Sequence, residues 1–316
     1  MRIHRTLALG ASALALVISA CTTGGGGSTT PTSAGSAAEE KPTISVGSAN
    51  FTESIVVGEI YAQALEAKGY PVERHLNIGA RDAYLAALNS GEVDLVPEYI
   101  NSLLVNYEAV ATGDVQASYE ELLTVLGEQD PQLVAFEPAP GQDFNAWTVT
   151  AETADQYDLV TMSDLAEVAD ELAWGFPPEC ATNEACGPGL LDVYGIDISQ
   201  FADAKEVPPC SAQAVQELND GDEVQVVELC STQAAIVEFN FVVLEDDLHL
   251  AAAENILPVT TAELAQSAPA DFESTLNAVS AKLTTEELTA LNAAVDVQHE
   301  DVEDAAAQWL EDQGLL

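Results

Sequence analysis

The chain has 316 residues, 47% of them hydrophobic, with 8 Lys plus Arg against 53 Asp plus Glu and a net charge of −45. That length and apolar content suffice for one large or two medium domains with a full core. So acidic a surface repels phosphate backbones and anionic membrane faces, which argues against nucleic-acid binding, and it favours cations only through weak long-range steering.

The first 20 residues read as a signal peptide: Arg2 and Arg5, then an apolar run over 7–18 that is too short to span a bilayer. Ile18-Ser19-Ala20-Cys21 resembles a bacterial lipobox, which makes Cys21 the candidate lipidation site. Gly24 to Gly27 and the Ser/Thr/Pro/Ala-rich residues after them predict a flexible lipoprotein tether over 21–42. No other apolar segment is long enough to cross a membrane.

Residues 44–107 read as strand, helix, strand, helix, strand. Ile44 and Val46 alternate as in a half-buried strand. Asn50-Phe51-Thr52-Glu53 has the residue types of a capping box, and Val56, Ile60 and Ala64 with Val57, Tyr61 and Leu65 form a helical stripe ending at Gly69. A second strand over 72–78 leads through Gly79 into a short helix that stops at Gly91. A third strand over 92–96 is expected to end at Pro97, with Glu98 and Tyr99 at its C-terminal end. Strands joined by helical crossovers run parallel and bind ligands beyond their carboxyl ends. Asn50 and Tyr99 therefore fall on one rim of a sheet, where helix N–H groups and an aromatic face suit a small molecule.

Beyond it, residues 118–127 read as a helix, 145–150 as a strand, and Thr161 to Leu165 as a helix start. An apolar strand is expected over 172–176, a short helix ended by Gly195, a helix over 212–218 and a strand over 224–229. The chain returns through 239–244 to helices over 261–266, 272–282, 285–295 and 302–310. Cys180, Cys186, Cys210 and Cys230 allow three disulfide connectivities. Pairing 180 with 186 closes a short loop and 210 with 230 joins a loop to a strand end, which favours that connectivity. A zinc site lacks both a CxxC spacing and a nearby His.

GSANFTES (47–54), NIGARDAYLAAL (77–88), NSGEVDLVPEY (89–99), and later LEDD (244–247) with AENILPV (253–259) resemble, in this order, the OpuAC-type substrate-binding proteins of ABC transporters. The resemblance extends over 43–316. It implies an α/β chain with the two-lobed type II periplasmic-binding-protein fold, each lobe a mostly parallel sheet flanked by helices and the ligand cleft between them. Residues 43–145 would form lobe one, 146–242 lobe two, and 243–316 the return to lobe one. It further implies a monomeric extracytoplasmic lipoprotein that captures a quaternary-ammonium osmoprotectant, such as glycine betaine or choline, and delivers it to ABC permease subunits. The alternative in another class is a surface lipoprotein using this fold as a ligand sensor or for another small polar solute.

A quaternary ammonium has no N–H to donate, so aromatic faces and shape must select it. Tyr99 matches the tyrosine that the family uses as a cage wall, and Ser231 and Thr232 match its Ser-Thr segment. Asn50, Asn145 and Trp147 are plausible neighbours, and Arg81 is the candidate partner for a ligand carboxylate. The chain departs from the pattern at Ala49, where many relatives carry Lys, and at Asn145 and Cys230, where they carry Tyr; PEYINS replaces PEYTGT. No Gly-x-Ser-x-Gly elbow, phosphate loop, His-Glu-x-x-His or GxGxxG occurs, and His4, His75, His249 and His299 are scattered. No catalytic residue, metal ligand or cofactor is therefore predicted, and acid pairs such as Asp246-Asp247 read as a solvated face.

Overall fold

Ile44 and Val46 are fully buried in the computed structural model, as the inward half of an alternating strand must be, and they open β1 (Ile44–Ala49). The structure describes residues 41–221 and 223–316; the signal peptide, all but the last two residues of the tether, and Cys21 lie outside them. Helix α1 (Thr52–Ala67) buries Val56, Val57, Ile60, Tyr61, Ala64 and Leu65, so its apolar stripe packs into the core together with Phe272, Leu276 and Trp309 from the end of the chain. Each large apolar side chain so buried contributes about 1.5–3 kcal/mol. Gly69, at φ 85°, makes the left-handed turn that lets the chain double back.

Strand β2 (Val72–Gly79), helix α2 (Arg81–Ser90), strand β3 (Leu95–Tyr99), helices α3 (Ile100–Asn106) and α4 (Val115–Gly127), and strand β4 (Leu133–Ala135) follow. Both β2 and β3 pair parallel with β1. Pro97 does not end the third strand. It lies inside β3 and faces Pro258 on the neighbouring antiparallel strand, so two residues without an amide hydrogen oppose each other. The capping box at α1 does not form either. Phe51 is the N-cap and makes no side-chain cap bond, because the Glu53 carboxylate turns inward.

The second sheet begins with β5 (Asn145–Thr150), followed by helices α5 (Ala151–Tyr157) and α6 (Met162–Glu167). Helix α6 starts where the sequence implies, and Thr161 and Asp164 cap it reciprocally. The apolar run 172–176 yields only the short β6 (Gly175–Phe176), since Leu172 and Trp174 go into an aromatic core with Trp147 and Phe201. Helix α7 (Gly187–Gly189) continues as a π-helical turn (Leu190–Tyr194) that stops at Gly195 in the left-handed region. Then come β7 (Lys205–Glu206), α8 (Ala212–Asp220), β8 (Val226–Cys230), α9 (Ala235–Phe239) and β9 (Phe241–Val243). Strand β10 (Ile256–Thr261) returns to the first sheet, and α10 (Ala262–Ser267), α11 (Asp271–Ser280), α12 (Thr285–Asp296) and α13 (Val302–Gln313) finish the chain.

The first sheet has the order β2-β1-β3-β10-β4. In the second, β8-β5-β9 is joined to β6-β7 by a parallel bridge between Trp174 and Val226, so the order β7-β6-β8-β5-β9 repeats the first. In each sheet four of the five strands run in the same direction, as the mostly parallel sheets of the resemblance imply. The strand that enters each sheet from the other, β10 or β5, runs antiparallel to both its neighbours because it arrives from the opposite direction. The disulfides are Cys180–Cys186 and Cys210–Cys230, with Cα atoms 5.0 and 4.9 Å apart.

Candidate functional site

The chain passes between the two sheets twice, and the passing segments pair with each other. Gln142 bridges Asn255, Ala139 N–H donates to Ile256 O at 2.8 Å, and Asp143 N–H donates to Glu254 O at 3.2 Å. Ser231 binds this hinge to the second sheet: its hydroxyl donates to Gln142 O at 3.0 Å and accepts from Phe144 N–H at 3.1 Å.

Beside the hinge lies a buried polar cluster. Glu53, in the first turn of α1 and 4% exposed, accepts from the Tyr99 hydroxyl at 2.7 Å and from Asn292 Nδ2 at 2.9 Å. Asn292 also donates to Thr232 O at 2.9 Å, which links three remote segments. Burial pushes the Glu53 carboxyl up, while hydrogen bonds from Thr232, Tyr99 and Asn292 pull it down. Burial and the Glu53 charge hold the Tyr99 phenol protonated. Asp143 is pushed up to about 7 by burial and then by Glu53, and its Oδ1 is buried without a partner among the described residues.

Next to this cluster opens a cavity of about 290 Å³ reaching from Asn101 and Glu254 on one side to Trp147, Tyr194 and Glu228 on the other. Its walls hold four carboxylates, Asp143, Glu228, Asp246 and Glu254, and no Lys, Arg or His among the described residues that line it. Glu254 accepts from the Ser102 amide at 2.9 Å and from its hydroxyl. Asp246 accepts from the Tyr194 hydroxyl and from the amides of Leu250 and Ala251 at 3.0 and 2.7 Å. This Asp is therefore part of the cavity wall and not of a solvated face. Glu228 is 7% exposed, and burial together with Glu179 pushes it up to about 7. An anionic, partly enclosed space of this kind attracts and orients a small cation.

The whole of this architecture falls within one family. Residues 42–312 match the substrate-binding domain of ABC-type glycine betaine transport systems. The chain belongs to that family. The glycine-betaine-binding protein of Pseudomonas aeruginosa is 28% identical over 285 residues, covering 87% of this chain and 89% of that protein. The carnitine transport binding protein OpuCC of Listeria monocytogenes is 24% identical over 86% of this chain and 87% of its own length. The structure of apo YehZ from Escherichia coli superposes with a TM-score of 0.76 at 21% identity, over 87% of this chain and 99% of that one. The fold is thus the type II periplasmic-binding fold that the resemblance implies. Members of this family serve ABC importers from outside the cytoplasm. Among the described residues no helix is long and apolar enough to cross a membrane, and no group of three or more His, Cys, Asp or Glu is placed to hold a metal ion.

Within this substrate-binding domain the expected residues separate. Asn145 and Trp147 line the cavity, Asn145 exposed and Trp147 packed edge-on against Trp174 at 5.3 Å. Tyr99 and Thr232 belong to the buried cluster, and Ser231 to the hinge. Asn50 is exposed at the rim beside Phe51, whose ring, 44% exposed, lies 6.1 Å from that of Tyr99. The Arg81 guanidinium is committed to Glu98, at 3.0 and 3.2 Å, with the Tyr84 hydroxyl on the same carboxylate at 2.7 Å. Sequence reasoning missed Glu53, Asp143, Glu228 and Glu254. Only Glu228 left a signal, as the lone acid in the apolar run Val226-Val227-Glu228-Leu229.

Proposed function

We propose that this chain captures a quaternary-ammonium or similar compatible solute in the cavity between its two lobes and presents it to ABC permease subunits. A lipid on Cys21 would hold it outside the cell membrane while residues 21–42 give it reach. The observation that carries this reading is the cavity itself: it sits where both crossings meet, has Asn101 of α3 on one side and β5 and β8 of the second sheet on the other, and is lined by acids and an aromatic face. Hinge bending about the paired crossing segments would close the lobes on the solute and exclude water. The docked, closed form would then be the signal to the permease. Residues 43–145 with 243–316, and 146–242, are the two moving halves.

Isothermal titration with glycine betaine, choline, carnitine and a neutral amino acid tests it. Saturable binding of at least one quaternary ammonium is expected, with none for the amino acid. Loss of response to all three quaternary ammonium solutes would overturn the ligand class. Incorporation of an alkyne-tagged fatty acid, abolished by Cys21→Ser, tests the anchor; labelling that survives the substitution overturns it.

A further inference from the structure

Two of the four carboxylates on the cavity wall are short of donors: Asp143, at the hinge, whose Oδ1 is buried without a partner among the described residues, and Glu228, the one carried on the sheet wall. Asp246 and Glu254 are satisfied by hydroxyls and amides, but no hydrogen bond or ion pair among the described residues reaches the Glu228 carboxylate. It is nine-tenths buried, and it lies on β8 directly across from Trp147, whose side chain lines the same cavity. A buried carboxylate without a donor is unstable as a charge unless something supplies the opposite charge. Here that something would be the solute.

The same wall is hostile to a carboxylate. A zwitterion such as a betaine brings an anionic end into a space that already holds four acids and no lining cation. Arg81, the side chain that would grip such a group, is spent on Glu98. Position 49, where a lysine would supply a counter-charge, is a buried Ala.

We propose that the cavity selects solutes that carry net positive charge and no carboxylate, and that Glu228 is the residue that makes this choice. Like-charge juxtaposition rejects the zwitterion, while the unpartnered Glu228 accepts the cation. The proposal rests on the reading of the cavity as a solute site and narrows it from quaternary ammonium in general to its cationic members. Burial holds part of the Glu228 population protonated near neutrality, and a bound cation draws that proton off.

The test compares glycine betaine with its methyl ester, which keeps the trimethylammonium head and removes only the negative charge, and with choline. Titration uses the full chain with both disulfides intact at about pH 8, where the carboxylate is mostly ionised. The ester and choline should bind at least about tenfold more tightly than glycine betaine. In Glu228→Gln the ester should weaken by about tenfold while glycine betaine is unchanged or improves. Equal or tighter binding of glycine betaine by the wild type overturns the charge selection, and so does an equal loss for both ligands in a Gln variant with wild-type circular dichroism. If that variant does not fold, the wild-type ratio of ester to betaine decides alone. Failure of all three ligands to bind the wild type would instead strike the solute reading itself.

Discussion

The two lobes each bury a carboxylate to a similar depth and treat it in opposite ways. Glu53, 4% exposed on α1, has Tyr99 and Asn292 as donors. Glu228, 7% exposed on β8, has no donor among the described residues. Leaving a buried acid unpaired costs several kcal/mol unless it takes up a proton. An apolar residue at that position of β8 would spare the fold this cost, so stability alone does not account for Glu228. Paired acids belong to the scaffold, whereas an unpaired one beside a cavity points to a partner that comes and goes. Glu98 extends the first class, with its fully buried side chain held by Arg81 and Tyr84.

The comparison breaks first at Arg81. If that guanidinium serves Glu98, Arg81→Met should destabilise the protein by about 3–5 kcal/mol in urea unfolding, because a buried charge loses its counter-ion. Solute affinity of the folded fraction should not change. A variant of wild-type stability that loses affinity for the solute would return Arg81 to the ligand site.

Next in size is the pH response of Glu228. Its folded pKa of about 7 lies above the ordinary 4.5, so the folded chain keeps a proton that the unfolded chain has lost. The stability this group provides is fully present below about pH 4.5 and falls as pH rises toward 7, to a loss of about 3 kcal/mol. The nearby charge of Glu179 adds to the effect of burial in raising Glu228. Glu228→Gln should therefore match the wild type near pH 4 and exceed it in unfolding free energy near pH 8. A constant difference across that range would mean that Glu228 is already paired.

Tyr99→Phe sharpens the other half of the comparison. It keeps the ring and removes one donor from Glu53, which should cost about 1–3 kcal/mol of stability and leave the ring contact with Phe51 in place. Unchanged stability would show that the Glu53 carboxyl is protonated and indifferent to that donor.

Much of the scaffold was legible because its signals are local. Periodicity marked β1 and α1, Gly69, Gly91 and Gly195 marked ends through their left-handed turns, and Thr161 marked a helix start. Pro97 misled because its partner, Pro258, is remote in sequence, and only the antiparallel register makes a proline harmless there. Glu53 misled because a capping residue and a core acid have the same identity, and the choice between them rests on Tyr99 and Asn292. The site was harder to read. In a chain with 53 acids, the spacing of carboxylates says little about which of them face a cavity.

The smallest expected effect concerns how the cavity recognises a cation. Asn145 is exposed on the cavity wall, directly across from Cys230 of the Cys210–Cys230 disulfide. The resemblance implies Tyr at both positions, where this chain has an amide and a disulfide. If charge now does what aromatic faces would otherwise do, adding one face back should help only modestly. A cation–π contact at an exposed site is worth about 0.5–1 kcal/mol, so Asn145→Tyr should tighten choline about two- to fivefold in titration. The same substitution in the Glu228→Gln background separates the two modes. Independent contributions would add in free energy within a few tenths of a kcal/mol. A gain from Tyr that appears only once Glu228 is neutral would mean that the ring and the carboxylate compete for one position of the ammonium group. The cavity would then hold a single cation site, not two walls of one cage.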